Sequence, residues 1–110
     1  MKLVTGCDIV KLARFAKLIA EPSVKERLFN PDEIGDGSIA HLAGVFAAKE
    51  AVVKALGVSA GSWRSIHLTY LANGRPQAEL LVPLKNPASC DLSIAHDGDY
   101  AIATFVALLR

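Results

Sequence analysis

The sequence predicts an α+β protein, an antiparallel sheet packed against one long helix. Three observations carry that expectation. A run capped by Ser38 keeps helical apolar spacing to Leu56 and is stopped by Gly57. The segments after it alternate apolar and polar residues and are divided by turn-forming residues. One strand stands ahead of the helices and the others come behind, an order that segregates helix from sheet.

Each element can be justified in turn. Lys2 to Val10 alternates loosely and reads as a strand. Lys11 to Ala20 places Leu12, Phe15, Ala16 and Ile19 at helical spacing, with Lys11, Arg14 and Lys17 on the polar face. Glu21-Pro22 breaks that helix, and Ser23 is expected to cap a short second one through Leu28. Asn30-Pro31-Asp32-Glu33 is a helix start with cap, proline and acid in place, stopped at once by Gly35-Asp36-Gly37. In the long helix, Ala40, Ala43, Gly44, Ala47, Ala48 and Ala51 are small and admit close approach of another element. Strands follow at Ser65 to Leu71 and Gln77 to Val82, joined by the hairpin signal Asn73-Gly74. The last pair, Cys90 to Ala95 and Tyr100 to Leu108, flanks a turn at His96-Asp97-Gly98-Asp99.

Composition narrows the function. At 110 residues, the chain is expected to form one domain, residues 1–110. Hydrophobic residues make up 52%, more than so small a domain can hide, so part of that surface is expected in a subunit interface. The apolar run from Tyr100 to Leu109 is too short to span a bilayer, and no signal-peptide pattern is read at the N-terminus. Cys7 and Cys90 have neither metal-site nor disulfide-framework spacing; both thiols are expected buried and free in a reducing cytoplasm. A net charge of +1 argues against nucleic-acid binding through bulk charge. The basic residues are nevertheless concentrated: Lys11, Arg14, Lys17, Lys25 and Arg27 form a local positive region suited to an acidic partner.

The chemistry-bearing residues are few. Glu50 and Lys54 lie one helical turn apart, a spacing shared by ordinary surface ion pairs. Asp8 lies toward the end of the first strand, far from them in sequence. A carboxylate there, another on a small-residue helix and a lysine beside it would make a site for Mg²⁺ and a phosphate. His96, at a turn, reads on its own as structural more often than functional. His41 reads as capping, packing or ligand contact; His67 reads as structural, and Trp63 and Phe46 as packing or interface groups.

These pieces together resemble the holo-acyl-carrier-protein synthase family, the small 4′-phosphopantetheinyl transferases. The resemblance rests on Gly6-Cys7-Asp8-Ile9-Val10 followed by Arg14, and on Arg27-Leu28-Phe29-Asn30-Pro31-Asp32-Glu33. It continues in the helix block from His41 to Gly57, in Asn73-Gly74-Arg75-Pro76, and in Ser93-Ile94-Ala95-His96-Asp97 with Tyr100-Ala101. It implies a 4′-phosphopantetheinyl transferase-like fold and a reaction: the phosphopantetheine arm of coenzyme A passes to a serine of an apo acyl carrier protein, releasing 3′,5′-ADP. By the same resemblance Asp8 and Glu50 are metal ligands for Mg²⁺, and Asp8, Glu50 and Lys54 form the catalytic set. Lys54, Gly74, Arg75, Pro76 and His96 contact the cofactor, and Arg14, with Lys11, Lys17 and Leu18, docks the acidic carrier protein. A cytoplasmic homotrimer with the site between subunits, working in fatty acid biosynthesis, is implied as well. Two other readings stay open: a catalytically weak or inactive homologue that binds carrier proteins, and a subunit that only oligomerises.

The chain departs from the family pattern in three places. Val45 stands where the family usually has an arginine that binds coenzyme A phosphate, Ala95 stands where it has a serine, and the segments at Gly35-Asp36-Gly37 and Pro83 to Ser89 are short. Losing one charge-assisted contact is worth about 1.5–3 kcal/mol, on the order of 10- to 100-fold in affinity, unless Arg64, Arg75 or Lys85 replaces it. Calorimetry of coenzyme A with Mg²⁺ should therefore find tighter binding in Val45→Arg; equal affinities would remove Val45 as the cause.

Overall fold

The computed structural model describes all 110 residues. In chain order it contains β1 (Lys2–Lys11), α1 (Leu12–Ile19), α2 (Pro22–Leu28), a 3₁₀ turn (Pro31–Glu33), α3 (Ile39–Leu56), a second 3₁₀ turn (Trp63–Ser65), β2 (Ile66–Tyr70), β3 (Pro76–Leu80), β4 (Ser89–Asp97) and β5 (Tyr100–Leu109). The strands form two antiparallel sheets rather than one: β1-β5-β4 and the hairpin β2-β3. No helix is long and apolar enough to cross a membrane.

Helix α3 lies between the three-stranded sheet and a second layer that includes α1 and β2. Enclosure from both sides explains its composition. Leu42, Ala43, Val45, Ala47, Ala48, Ala51 and Val52 are all fully buried, so apolar residues occupy most of the helix circumference. Ser38 caps the start, its Oγ accepting from the His41 backbone N–H, and Gly57 ends the helix in the left-handed region at φ 64°. On β5, Ala101, Ala103, Phe105 and Ala107 point inward, mostly small residues facing a small-residue helix. On β1 the matching inward positions are Val4, Gly6, Asp8 and Val10.

Gly6 sets how close β1 lies to α3. A Cβ at this position would fall 1.9 Å from the backbone oxygen of Ala51 and 2.9 Å from the amide nitrogen of Ala55. Backbone atoms cannot swing aside as a flexible side chain could, so only glycine admits this spacing.

The second organising contact is a buried ion pair. Lys49 Nζ donates to Glu33 Oε1 at 2.6 Å, to Leu28 O at 2.9 Å and to Trp63 O at 2.9 Å. Glu33 also accepts from the backbone N–H of Asn30 and of Leu68. Neither side chain is exposed to any extent, and no buried side-chain polar atom in the protein lacks a partner. Burial pushes the Lys49 ammonium below its ordinary range, and Glu33 partly opposes that. One lysine thus ties the end of α2, the first 3₁₀ turn and the second 3₁₀ turn to α3, while Glu33 adds β2.

Several local expectations are corrected. The second helix is capped by Glu21 with Pro22 in its first turn, not by Ser23, because proline is already suited to the first helical position. The hairpin expected at Asn73-Gly74 forms: Leu71 N–H bonds Arg75 O, enclosing Ala72, Asn73 and Gly74, with Gly74 at a positive φ of 88°. Strand β3 ends at Leu80, two residues before the expected Val82. His96 and Asp97 belong to β4, since Asp97 pairs with Tyr100 across a two-residue turn led by Gly98. Cys7 and Cys90 are free, as expected, but exposed; Cys7 lies on the outward face of β1, between the inward-facing Gly6 and Asp8. Gly6→Ala should lower stability by roughly 3 kcal/mol or more, a fall in Tm of more than about 10 °C by thermal unfolding. A melting curve matching the wild type would mean that β1 and α3 can separate at little cost.

Candidate active site

Asp8 is carried by β1 and Glu50 and Lys54 by α3, and the contact at Gly6 brings the two elements into register. Lys54 Nζ donates to Asp8 Oδ1 at 2.9 Å and to Cys7 O at 3.0 Å. The Asp8 side chain is 18% exposed and that of Lys54 54%, so this is an ion pair at the edge of solvent. The hydrogen bond to Asp8 raises the Lys54 pKa, keeping the ammonium charged. Glu50 is half-buried, and its Oε1 accepts the indole N–H of Trp63 at 2.6 Å.

Asp8 and Glu50 line the same cavity, about 420 Å³ in volume, together with Lys11, Arg14, Phe15, Leu18 and Phe46. Lys17 is exposed on α1 and does not line it. A second cavity of about 450 Å³ is lined by His41, Gly44, Val45, Tyr70, Gly74, Pro76, Ile94 and His96. The two cavities take different residues of α3: Phe46 and Glu50 for the first, His41, Gly44 and Val45 for the second.

Within the second cavity, His96 Nε2 meets the carbonyl oxygen of Ala40 at 2.8 Å. A carbonyl only accepts, so Nε2 carries the proton and Nδ1 is left without a protein partner. The ring rests against Gly44, where a Cβ would lie 2.9 Å from Nε2. His41 closes the Ser38 cap through its backbone N–H, and its ring, which also lines this cavity, has a nitrogen 2.8 Å from Glu33 O. His67 pairs with Asp32 at 2.6 Å, away from either cavity.

The structure therefore gathers Asp8, Glu50, Lys11, Arg14 and Leu18 around one cavity and Gly74, Pro76 and His96 around another. Arg75 is not among the second group. Its guanidinium grips both oxygens of Asp91, at 2.8 and 2.6 Å, and that hydrogen bond holds the Asp91 carboxyl below its usual range. Arg64 lies by Asn30, and neither it nor Lys85 lines the second cavity. Val45 lines that cavity but is fully buried, so an arginine placed there would have to displace its neighbours to enter it.

Lys49, Glu33 and Trp63 were not singled out by sequence as site-forming groups. The available signal was a lysine within an otherwise apolar and small-residue helix stretch, with Glu33 at the third position of a capping box. Trp63 reads in sequence as a packing or interface group.

The donor set can be tested against a metal. No group of three or more His, Cys, Asp or Glu side chains converges anywhere in the chain. Two carboxylates lining one cavity, each with one oxygen already bonded and one not, match a hard cation that retains waters and takes phosphate oxygens. They do not match a cation that needs an all-protein cage. The residues present fit Mg²⁺.

Two acids and a lysine thus stand together at the edge of a fold in which one long helix packs on an antiparallel sheet. The comparisons then specify it. The sequence profile of the 4′-phosphopantetheinyl transferase superfamily matches residues 5–105, and the chain belongs to that family. A holo-[acyl-carrier-protein] synthase of Frankia alni is 38% identical, with 93% of each chain covered. The crystal structure of the Helicobacter pylori holo-[acyl-carrier-protein] synthase in complex with coenzyme A superimposes with a TM-score of 0.80 at 32% identity, covering 94% of this chain and 98% of that one. The Bacillus anthracis holo-(acyl-carrier-protein) synthase, in complex with coenzyme A (3′,5′-ADP), gives a TM-score of 0.82 at 27% identity, covering 97% and 96%.

Proposed function

We propose that this enzyme transfers the 4′-phosphopantetheine arm of coenzyme A to a serine hydroxyl of an apo acyl carrier protein and depends on Mg²⁺. The observation that carries the reading is the convergence of Asp8 and Glu50 on one cavity whose rim bears Lys11 and Arg14. The serine oxygen forms a bond to the β-phosphorus, and the bond from that phosphorus to the bridging oxygen breaks, releasing 3′,5′-ADP. The serine proton leaves to Glu50 or to a water that Glu50 orients. Asp8 and Glu50 would hold the cation, which neutralises charge on the diphosphate. Lys54, which bonds Asp8, would donate to a phosphate oxygen as charge builds on the leaving group. Lys11 and Arg14 would meet acidic side chains of the carrier protein, with Leu18 giving an apolar contact; opposed charge of this kind chiefly accelerates encounter.

The same reading includes a homotrimer with the active site between subunits, acting in the cytoplasm in fatty acid biosynthesis. Two features support the assembly. The outward face of the three-stranded sheet exposes Leu3, Ile9, Tyr100, Ile102 and Val106, with Ile9 61% exposed, an apolar surface that a second copy would cover. The groups matched to the metal and those matched to the nucleotide occupy separate cavities of one chain, and a neighbour could supply the second set. The absence of a basic group to replace arginine at Val45 favours, as the second reading, a weak enzyme that still binds carrier proteins.

Intact-mass measurement on an apo carrier protein incubated with coenzyme A and Mg²⁺ tests the proposal. A phosphopantetheine-sized increase is expected; it should vanish in Glu50→Gln and in Asp8→Asn, with Asp8→Asn keeping its wild-type fold. In the same assay Arg14→Glu should raise KM for carrier protein far more than for coenzyme A. Binding without modification would support the second reading, and unfolding of Asp8→Asn would make Asp8 a structural acid.

A further inference from the structure

Trp63 joins the buried ion pair to the candidate metal site. Its backbone carbonyl accepts from Lys49 Nζ at 2.9 Å, a lysine with no exposed side-chain surface. Its indole N–H donates to Glu50 Oε1 at 2.6 Å. The ring is partly buried against the hydrophobic core. The residue is thus fixed at its backbone and by its ring, and the single donor of the indole is spent on a carboxylate. A hydrogen bond from a neutral donor to a carboxylate is charge-assisted and directional.

We propose that Trp63 is a positioning residue: its N–H holds one oxygen of Glu50 and leaves the other aimed into the cavity toward the divalent cation. This rests on the reading of Asp8 and Glu50 as metal ligands. Without the N–H, the Glu50 carboxylate could rotate about its terminal torsions, and the cation would have to order it on binding. Losing an outer partner of a ligating carboxylate lowers metal affinity or activity by about 10- to 100-fold. The chain contains one tryptophan, so the same indole reports its own environment by fluorescence.

Two arms test this. Trp63→Phe keeps an aromatic ring and removes the donor. The Mg²⁺ concentration for half-maximal transfer should rise about 10-fold, while KM for carrier protein is unchanged. A lower Tm with an unaltered Mg²⁺ dependence would make the residue merely structural and overturn the proposal. The second arm needs no turnover and no substitution of the indole. With coenzyme A present and carrier protein absent, adding Mg²⁺ to the wild type should shift Trp63 emission, because the charge of its hydrogen-bond acceptor is neutralised; Glu50→Gln should abolish the shift. Emission indifferent to Mg²⁺ would overturn the proposal even if Trp63→Phe failed to fold. A wild type that modifies no carrier protein would instead defeat the transferase reading, and the emission arm would still decide the role of the indole.

Discussion

The close contact between β1 and α3 is the constraint on which the site depends. Asp8 comes from one element and Glu50 and Lys54 from the other, and no covalent cross-link ties the two across the forty-odd intervening residues. Gly6 lies two positions before Asp8 on the same face of β1, against the Ala51 carbonyl of α3. The missing Cβ lets the strand settle onto the helix backbone, and the Lys54 ammonium then reaches both the Cys7 carbonyl and the Asp8 carboxylate. A wider spacing at Gly6 would leave the same residue types present and the cavity unformed.

The opposite side of α3 is held by different physics. Lys49 and Glu33 together satisfy every donor and acceptor that burial would otherwise strand, which is the condition for a buried ion pair to be tolerated. Removing one partner of such a pair is destabilising by about 3–5 kcal/mol, whereas a hydrophobic pair of equal volume is often no worse. The pair is better understood as fixing geometry than as adding stability. It ties down the backbone at Trp63, and the indole of that residue meets Glu50. A specification built into the core therefore reaches the cavity through one side chain.

Much of this was legible in the residues. The long helix, its Ser38 cap and its Gly57 stop are local signals and need no tertiary context. Asp8, Glu50, Arg14 and the Asn73-Gly74 block could be picked out because their types and order carry a family resemblance. The burial of Lys49 could not be read, because its partner Glu33 is brought to it by the turn of the chain after α2 and not by spacing along a helix. Trp63 packs on the core as its type suggests, but its indole bond to Glu50 could not be read for the same reason: a donor facing a carboxylate and a ring filling space look alike in sequence. Nor could the pairing of Arg75 with Asp91 be read, since no local pattern ties the two residues together.

Whether Asp8 and Glu50 serve one cation can be read by nuclear magnetic resonance of the isotope-labelled protein with coenzyme A, titrated with Mn²⁺, whose unpaired electrons broaden nearby signals. Backbone amide resonances around Asp8 and around Glu50 should broaden together, at the same Mn²⁺ concentration, and recover together when excess Mg²⁺ is added. Broadening at only one of the two segments, or centred elsewhere in the protein, would contradict it.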